Sequence, residues 1–195
     1  MKTLRHRLAL PGIAALPPLL FSCASSTAWN FDDGLAADSI ELQVGADGGT
    51  REIEYHVPAT AVPAAVLDAM DRLYPAGTAA GAEKEYVRGT LYWEVKKQIG
   101  GLAVEAMFRP DGTLHSEEIE VAAEKVPQAV RDALAGRYEG ELKSWEEVRD
   151  AQRAVVEYHA KLRRDGRDYK VLLSPTGQHL GAFREVVAEI ELPLR

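Results

Sequence analysis

Val62-Pro63-Ala64-Ala65-Val66-Leu67-Asp68-Ala69-Met70-Asp71-Arg72-Leu73-Tyr74 is echoed 64 residues on by Val126-Pro127-Gln128-Ala129-Val130-Arg131-Asp132-Ala133-Leu134-Ala135-Gly136-Arg137-Tyr138. Pro63 and Pro127 suit the first helical position, where the missing N–H is harmless and φ is already helix-like, and each holds the preceding Val extended. Val62, Val66, Met70 and Tyr74 then fall on one face, as do Val126, Val130, Leu134 and Tyr138. An apolar stripe at i, i+4 and i+8 describes a short helix that lies on something flat.

Outward from the helices, the period changes from helical to alternating. Ile40, Leu42 and Val44 alternate with polar residues, Asp47-Gly48-Gly49 breaks the run, and Ile53, Tyr55 and Val57 resume it, which is a hairpin signal. Between the helices there is room for four strands: one over Glu83 to Arg88, then Leu91, Trp93, Val95 and Ile99, then Leu102, Val104, Ala106 and Phe108, and a last one after Pro110-Asp111-Gly112. After the second helix Val156, Tyr158, Ala160 and Leu162 alternate, Asp165-Gly166 turns, and Tyr169, Val171 and Leu173 lead to Pro175-Thr176-Gly177. Leu192-Pro193 looks like a third Val-Pro whose helix is missing. The expected fold is therefore α+β: a tandem repeat of one helix packed on a four-stranded antiparallel meander, preceded by an N-terminal β-hairpin. The expected boundaries are 1–22 for a signal peptide, 23–38 for a lipidated N-terminus and linker, 39–121 for the hairpin and first repeat, and 122–195 for the second.

The beginning of the chain carries an address. Lys2, Arg5 and Arg7 precede an apolar run from Leu8 to Phe21, as in the first two regions of a secretory signal. The run is too short to span a bilayer as a helix and contains Pro11, Pro17 and Pro18. It closes on Leu20-Phe21-Ser22-Cys23, which resembles the bacterial lipoprotein signal; Phe21 departs from the small residue usual at that place. The resemblance implies lipidation at Cys23 and, with Ala24 rather than Asp following, the periplasmic side of the outer membrane. The alternative is cleavage after Ser26-Thr27-Ala28, giving a secreted or soluble periplasmic protein. Cys23 is the single cysteine, so no internal disulfide is expected.

The full chain has a net charge of −7, and without the three basic signal residues 20 Lys and Arg stand against 30 Asp and Glu. A charge of −10 on the remainder excludes nucleic acid as a natural partner and leaves the lipid as the expected link to a membrane.

The Val-Pro-x-Ala-Val helix start, the closing Tyr and the meander with Asp-Gly turns together resemble the PepSY-like family and its β-lactamase-inhibitor-like members, over about Ile53 to Val187. The resemblance implies a secreted or envelope domain without catalytic residues. Relatives by fold that are better understood bind and inhibit extracytoplasmic peptidases or hydrolases.

Chemistry is otherwise sparse. No HExxH, Gly-x-Ser-x-Gly, cysteine pair or phosphate-cradling loop is present, and no catalytic residue, cofactor or metal site is expected. His56, His115, His159 and His179 are scattered, and Glu117-Glu118-Glu120 and Glu146-Glu147 read as solvated acids. Arg163-Arg164-Asp165-Gly166-Arg167, the one basic knot, reads as a solvated hairpin tip. If Trp93, Val104 and Val156 point toward the helices, alternation sends Tyr92, Glu94, Lys96, Met107, Arg109, Val155, Glu157, His159 and Leu172 to the far face. Of these, Tyr92, Glu94, Met107, Arg109, Val155, His159 and Leu172 form the candidate binding face for a protein partner in the cell envelope, because aromatic, Met and Arg residues are what interfaces favour. The expected function is non-enzymatic protein binding, including inhibition of an extracytoplasmic peptidase or hydrolase. A structural spacer or assembly factor, and a small-ligand or cation-binding periplasmic domain, are the alternatives.

Overall fold

The computed structural model describes residues 31–189 and 191. The signal peptide, Cys23, the alternative cleavage site and the Leu192-Pro193 echo lie outside the described residues. Among the described residues no helix is long and apolar enough to cross a membrane.

The expected tandem repeat is overturned. Ten strands form one antiparallel sheet in strict sequence order: β1 (Ile40–Val44), β2 (Thr50–His56), β3 (Thr78–Val87), β4 (Thr90–Ile99), β5 (Leu102–Phe108), β6 (Leu114–Val121), β7 (Glu141–Asp150), β8 (Val155–Arg164), β9 (Arg167–Leu173) and β10 (His179–Arg184). The helices are short: α1 (Phe31–Ala36), α2 (Ala64–Leu73) and α3 (Gln128–Ala135). β2 pairs with β3 across α2, and β6 with β7 across α3, from Ser116 opposite Asp150 to Val121 opposite Trp145. The physical reason lies in the backbone. A meander that stopped at β6 would leave a row of N–H and C=O groups unpaired, and laying β7 beside it satisfies them. What the sequence echo separates, the hydrogen-bond ladder joins.

Each helix covers part of one face. The aliphatic stripe residues are buried, Val66 and Val130 completely, Tyr74 and Tyr138 are partly buried at their edges, and all pack in two clusters. One holds Met70, Trp93, Val95, Val104 and Phe108 under α2; the other holds Leu134, Trp145, Tyr158, Leu162, Val171 and Leu173 under α3. α1 lies within the stretch expected to be a linker and docks over β3, where Asp33 accepts from Lys84 Nζ at 2.7 Å and from Tyr86 Oη at 3.0 Å. Pro63 and Pro127 cap the helices rather than open them, with ψ of 137° and 142°. Their carbonyls accept the first helical hydrogen bonds, from Val66 N and Leu67 N and from Val130 N and Arg131 N.

Further contacts seat the helices. Gly112, in the β5–β6 turn, has φ of +82°, and a Cβ there would stand 2.5 Å from the carbonyl oxygen of Ala65. Gly177, in the β9–β10 turn, repeats this against Ala129 at 2.6 Å with φ of +84°. At the far end of α2, Lys97 Nζ donates to Asp71 at 2.6 Å and to the Tyr74 carbonyl at 2.7 Å, a cation at a helix C-terminus where exposed carbonyls favour one.

Candidate binding face

Alternation along the strands leaves Glu52, Glu54, Glu83, Glu85, Glu94, Lys96, Glu105, Glu118, Glu146, Glu157, His159, Lys161 and Lys170 on the face away from α2 and α3. A flat sheet would hold these charges in water. Here Glu83 and Glu85 are at most 1 % exposed, Glu146 5 % and His159 6 %. The cause is curvature. β9 is seven strands from β2, about 34 Å in a flat sheet at the usual spacing of about 4.8 Å. Lys170 of β9 nevertheless interacts electrostatically with Glu52 and Glu54 of β2. The sheet curls, the charged side is concave, and the helices sit on the convex side.

Two ionic centres occupy the hollow. In the first, Lys96 Nζ reaches Glu83 at 2.9 Å, Glu94 at 3.2 Å and Glu105 at 3.3 Å, while His56 Nδ1 meets the same Glu83 oxygen at 2.9 Å. Burial drives Glu94 well above the usual carboxylate range, against the pull of Lys96 and with Glu105 and Glu83 adding to it. Burial and the neighbouring carboxylates Glu52, Glu83 and Glu41 push Glu54 up to about 9. Glu85 is driven far up as well, by burial and then by Glu52. The inner wall at β2–β4 thus carries carboxyl groups that hold protons at neutral pH.

In the second centre, Glu118, Glu146 and His159 from β6, β7 and β8 each offer one ligand atom, all within 4.8 Å of one another. His159 Nδ1 is 3.3 Å from Glu118 Oε2 and 4.0 Å from Glu146 Oε2, near in charge but off hydrogen-bonding geometry. Its Nε2 lies 3.0 Å from Glu157 Oε1, and Lys161 Nζ lies 2.6 Å from Glu146 Oε1. Burial opposes charge on His159, but the flanking Glu118 and Glu157 outweigh it and raise the ring to about 9. Burial likewise opposes the Glu118 carboxylate, and the adjacent His159 overrides it, bringing Glu118 down to about 2.

Most of the residues singled out in the sequence share one face: Tyr92, opposite Glu85, lies on it with the Arg109 guanidinium over its ring, and Val155 leaves it. Glu94, Met107, His159 and Leu172 share the concave face, with Leu172 opposite His159 and Met107 opposite Glu94. Tyr92 is 7 % exposed, stacked on His115 at 4.4 Å and covered by the Arg109 guanidinium at 5.7 Å, so it is a packed residue and not a free interface aromatic. Val155 is not on this face. A register shift between Val148 and Arg149 pairs Arg149 with Val155 and turns Val155 onto the α3 cluster, leaving Val156 46 % exposed. Three of the acids read as solvated are buried: Glu146 belongs to the second centre, and Glu117 and Glu147 lie on the convex side. There Glu117 accepts from Tyr74 Oη at 2.6 Å and Arg153 Nε at 2.9 Å. Missed altogether were Glu54, Glu83 and Glu85. Their signal was present, since Glu52 with Glu54 and Glu83 with Glu85 alternate at the period of a strand, but alternating acids ordinarily mark the wet face.

The chain matches no protein-family profile and no curated protein. Its fold is similar to that of solved structures. One is a protein of Bacteroides eggerthii described as periplasmic, at 21 % identity and a TM-score of 0.52 over 63 % of this chain and 88 % of that one. Another is a DUF2874 family protein of Bacteroides uniformis, at 19 % identity and a TM-score of 0.51 over 63 % and 89 %. A third is a BLIP-like protein of Bacteroides fragilis, at 18 % identity and a TM-score of 0.48 over 65 % and 89 %.

Proposed function

We propose that this chain is a non-enzymatic, lipid-anchored protein of the cell envelope that binds a protein partner in the concave face of its sheet. The observation that carries the reading is the make-up of that face: of its nine glutamates Glu54, Glu85 and Glu94 hold protons, and the other six still outnumber Lys96, Lys161, Lys170 and the cationic His159, so a curved wall of this kind suits a cationic segment of the partner. The envelope location is supported by the secretory character of residues 1–22 and by the described location of the Bacteroides eggerthii protein of similar fold. The lipid anchor rests on Leu20-Phe21-Ser22-Cys23. Inhibition of an extracytoplasmic peptidase or hydrolase is the form of binding that the PepSY-like resemblance implies.

The test is recovery of partners from envelope extracts by the wild-type chain and by a Glu52→Gln/Glu105→Gln variant, with Arg163→Ala at the β8–β9 tip as the control. A partner lost with the double variant and at raised salt, but kept by the control, is the expected result. Equal recovery by all three chains counts against the concave face.

A further inference from the structure

We infer that Glu118, Glu146 and His159 form a binding site for one divalent transition-metal ion of the zinc class, held by His159 Nδ1 and one oxygen of each carboxylate, with solvent completing the shell. The inference goes beyond protein binding and does not depend on it. Geometry comes first. In a tetrahedral site with bonds of about 2.0–2.1 Å, ligand atoms stand about 3.3–3.4 Å apart. His159 Nδ1 and Glu118 Oε2 are 3.3 Å apart, and Glu146 Oε2 at 4.0 Å needs only a small turn of its carboxylate.

The second observation is independent of the clustering. Glu146 Oε2 and His159 Nδ1 are buried without a hydrogen-bond partner, on side chains more than nine-tenths buried, and both are members of the trio. Their other polar atoms are engaged outside it: Lys161 Nζ holds Glu146 Oε1 at 2.6 Å, and Glu157 Oε1 faces His159 Nε2 at 3.0 Å. A histidine that donates Nε2–H to a carboxylate presents a bare Nδ1 lone pair on its other side, which is how metal-bound imidazoles are ordinarily oriented. Glu118, with a side chain 28 % exposed, leaves a way in. One imidazole with two carboxylates favours zinc-like ions over calcium or magnesium, which prefer oxygen alone. Lys161 and Lys170 bring opposing charge. Lys161 is already tied to the oxygen the metal would not use.

A metal-free role would have His159 doubly protonated between Glu157 and Glu118, and the two arrangements separate cleanly in solution. The full chain, stripped with chelator, is titrated with Co²⁺ by visible absorbance and with Zn²⁺ by calorimetry, alongside His159→Gln, Glu146→Gln and, as a control on the same face, Glu54→Gln. One ion per chain is expected, with affinity at least tenfold weaker in the first two variants and unchanged in the third. No saturable binding, equal affinity in all four chains, or equal competition by Ca²⁺ overturns the site. Should a variant lose its fold, Co²⁺-induced NMR shifts on the wild-type chain decide. Shifts centred on Glu118, Glu146 and His159 support the site, and shifts centred elsewhere overturn it. Loss of a partner in the extract experiment leaves these readings untouched.

Discussion

At the scale of single residues, the tightest contacts are made by atoms that are absent. Gly112 and Gly177 let a hairpin turn rest on the first turn of α2 and of α3, with no room for a methyl group before the carbonyl of Ala65 or Ala129. Gly112→Ala and Gly177→Ala are each expected to cost about 1–3 kcal/mol from strain at positive φ, with steric conflict added. Gly48→Ala, also at positive φ but with nothing within 4 Å, should cost less; urea denaturation of the three variants measures the difference. Pro110-Asp111-Gly112 and Pro175-Thr176-Gly177 were legible as turns. That each turn seats a helix was not, because nothing in a turn motif says what lies beneath it. His159 shows the same limit more sharply. Its ligand-like neighbours come from two other strands, at sequence distances of 13 and 41, so no local spacing could announce them.

At the scale of elements, α2 and α3 hold through their apolar stripes. Met70 is 1 % exposed and Val130 fully buried, and Met70→Ala should lower stability by about 2–5 kcal/mol in urea titrations. Leu134→Asp places a charge in the second cluster and should leave no cooperative unfolding transition by circular dichroism. A different prediction concerns the seam between the two clusters, where Tyr74 at the end of α2, Glu117 of β6 and Arg153 of the β7–β8 turn meet. Glu117→Ala strands the Tyr74 hydroxyl and the arginine, and an expected loss of about 1–3 kcal/mol should shrink when Arg153→Ala is added in a double-mutant cycle. Element type was readable because the hydrophobic period changes from helical to alternating at Pro63 and Pro127. Register was not readable, and at Val148–Arg149 one shifted pair moved Val155 to the other side of the sheet.

At the scale of the whole molecule, the curl decides the electrostatics. Glu54 and Glu85 have carboxyl pKa values raised on folding, by burial first and by carboxylates of β1, β2, β3 and β4 next, with Lys170 of β9 as the cation facing Glu54. A raised pKa contributes stability that is fully present below the unfolded value of about 4.5 and is lost as pH rises through the folded value, about 9 for Glu54. Wild-type stability should therefore decline between these limits more steeply than that of Glu54→Gln, as urea midpoints measured across the range would show. The single sheet was not legible, because the loops on either side of each helix carry no sign of which edges will meet; the closure of the ladder by β7 is a tertiary event. The strict sequential order has a kinetic consequence. Every strand pairs with its neighbour along the chain, so the hairpins can form locally, and the long connections that must close are the two that carry α2 and α3. A polypeptide of this topology can assemble hairpin by hairpin, with α2 and α3 folding before the edges on either side of them are joined.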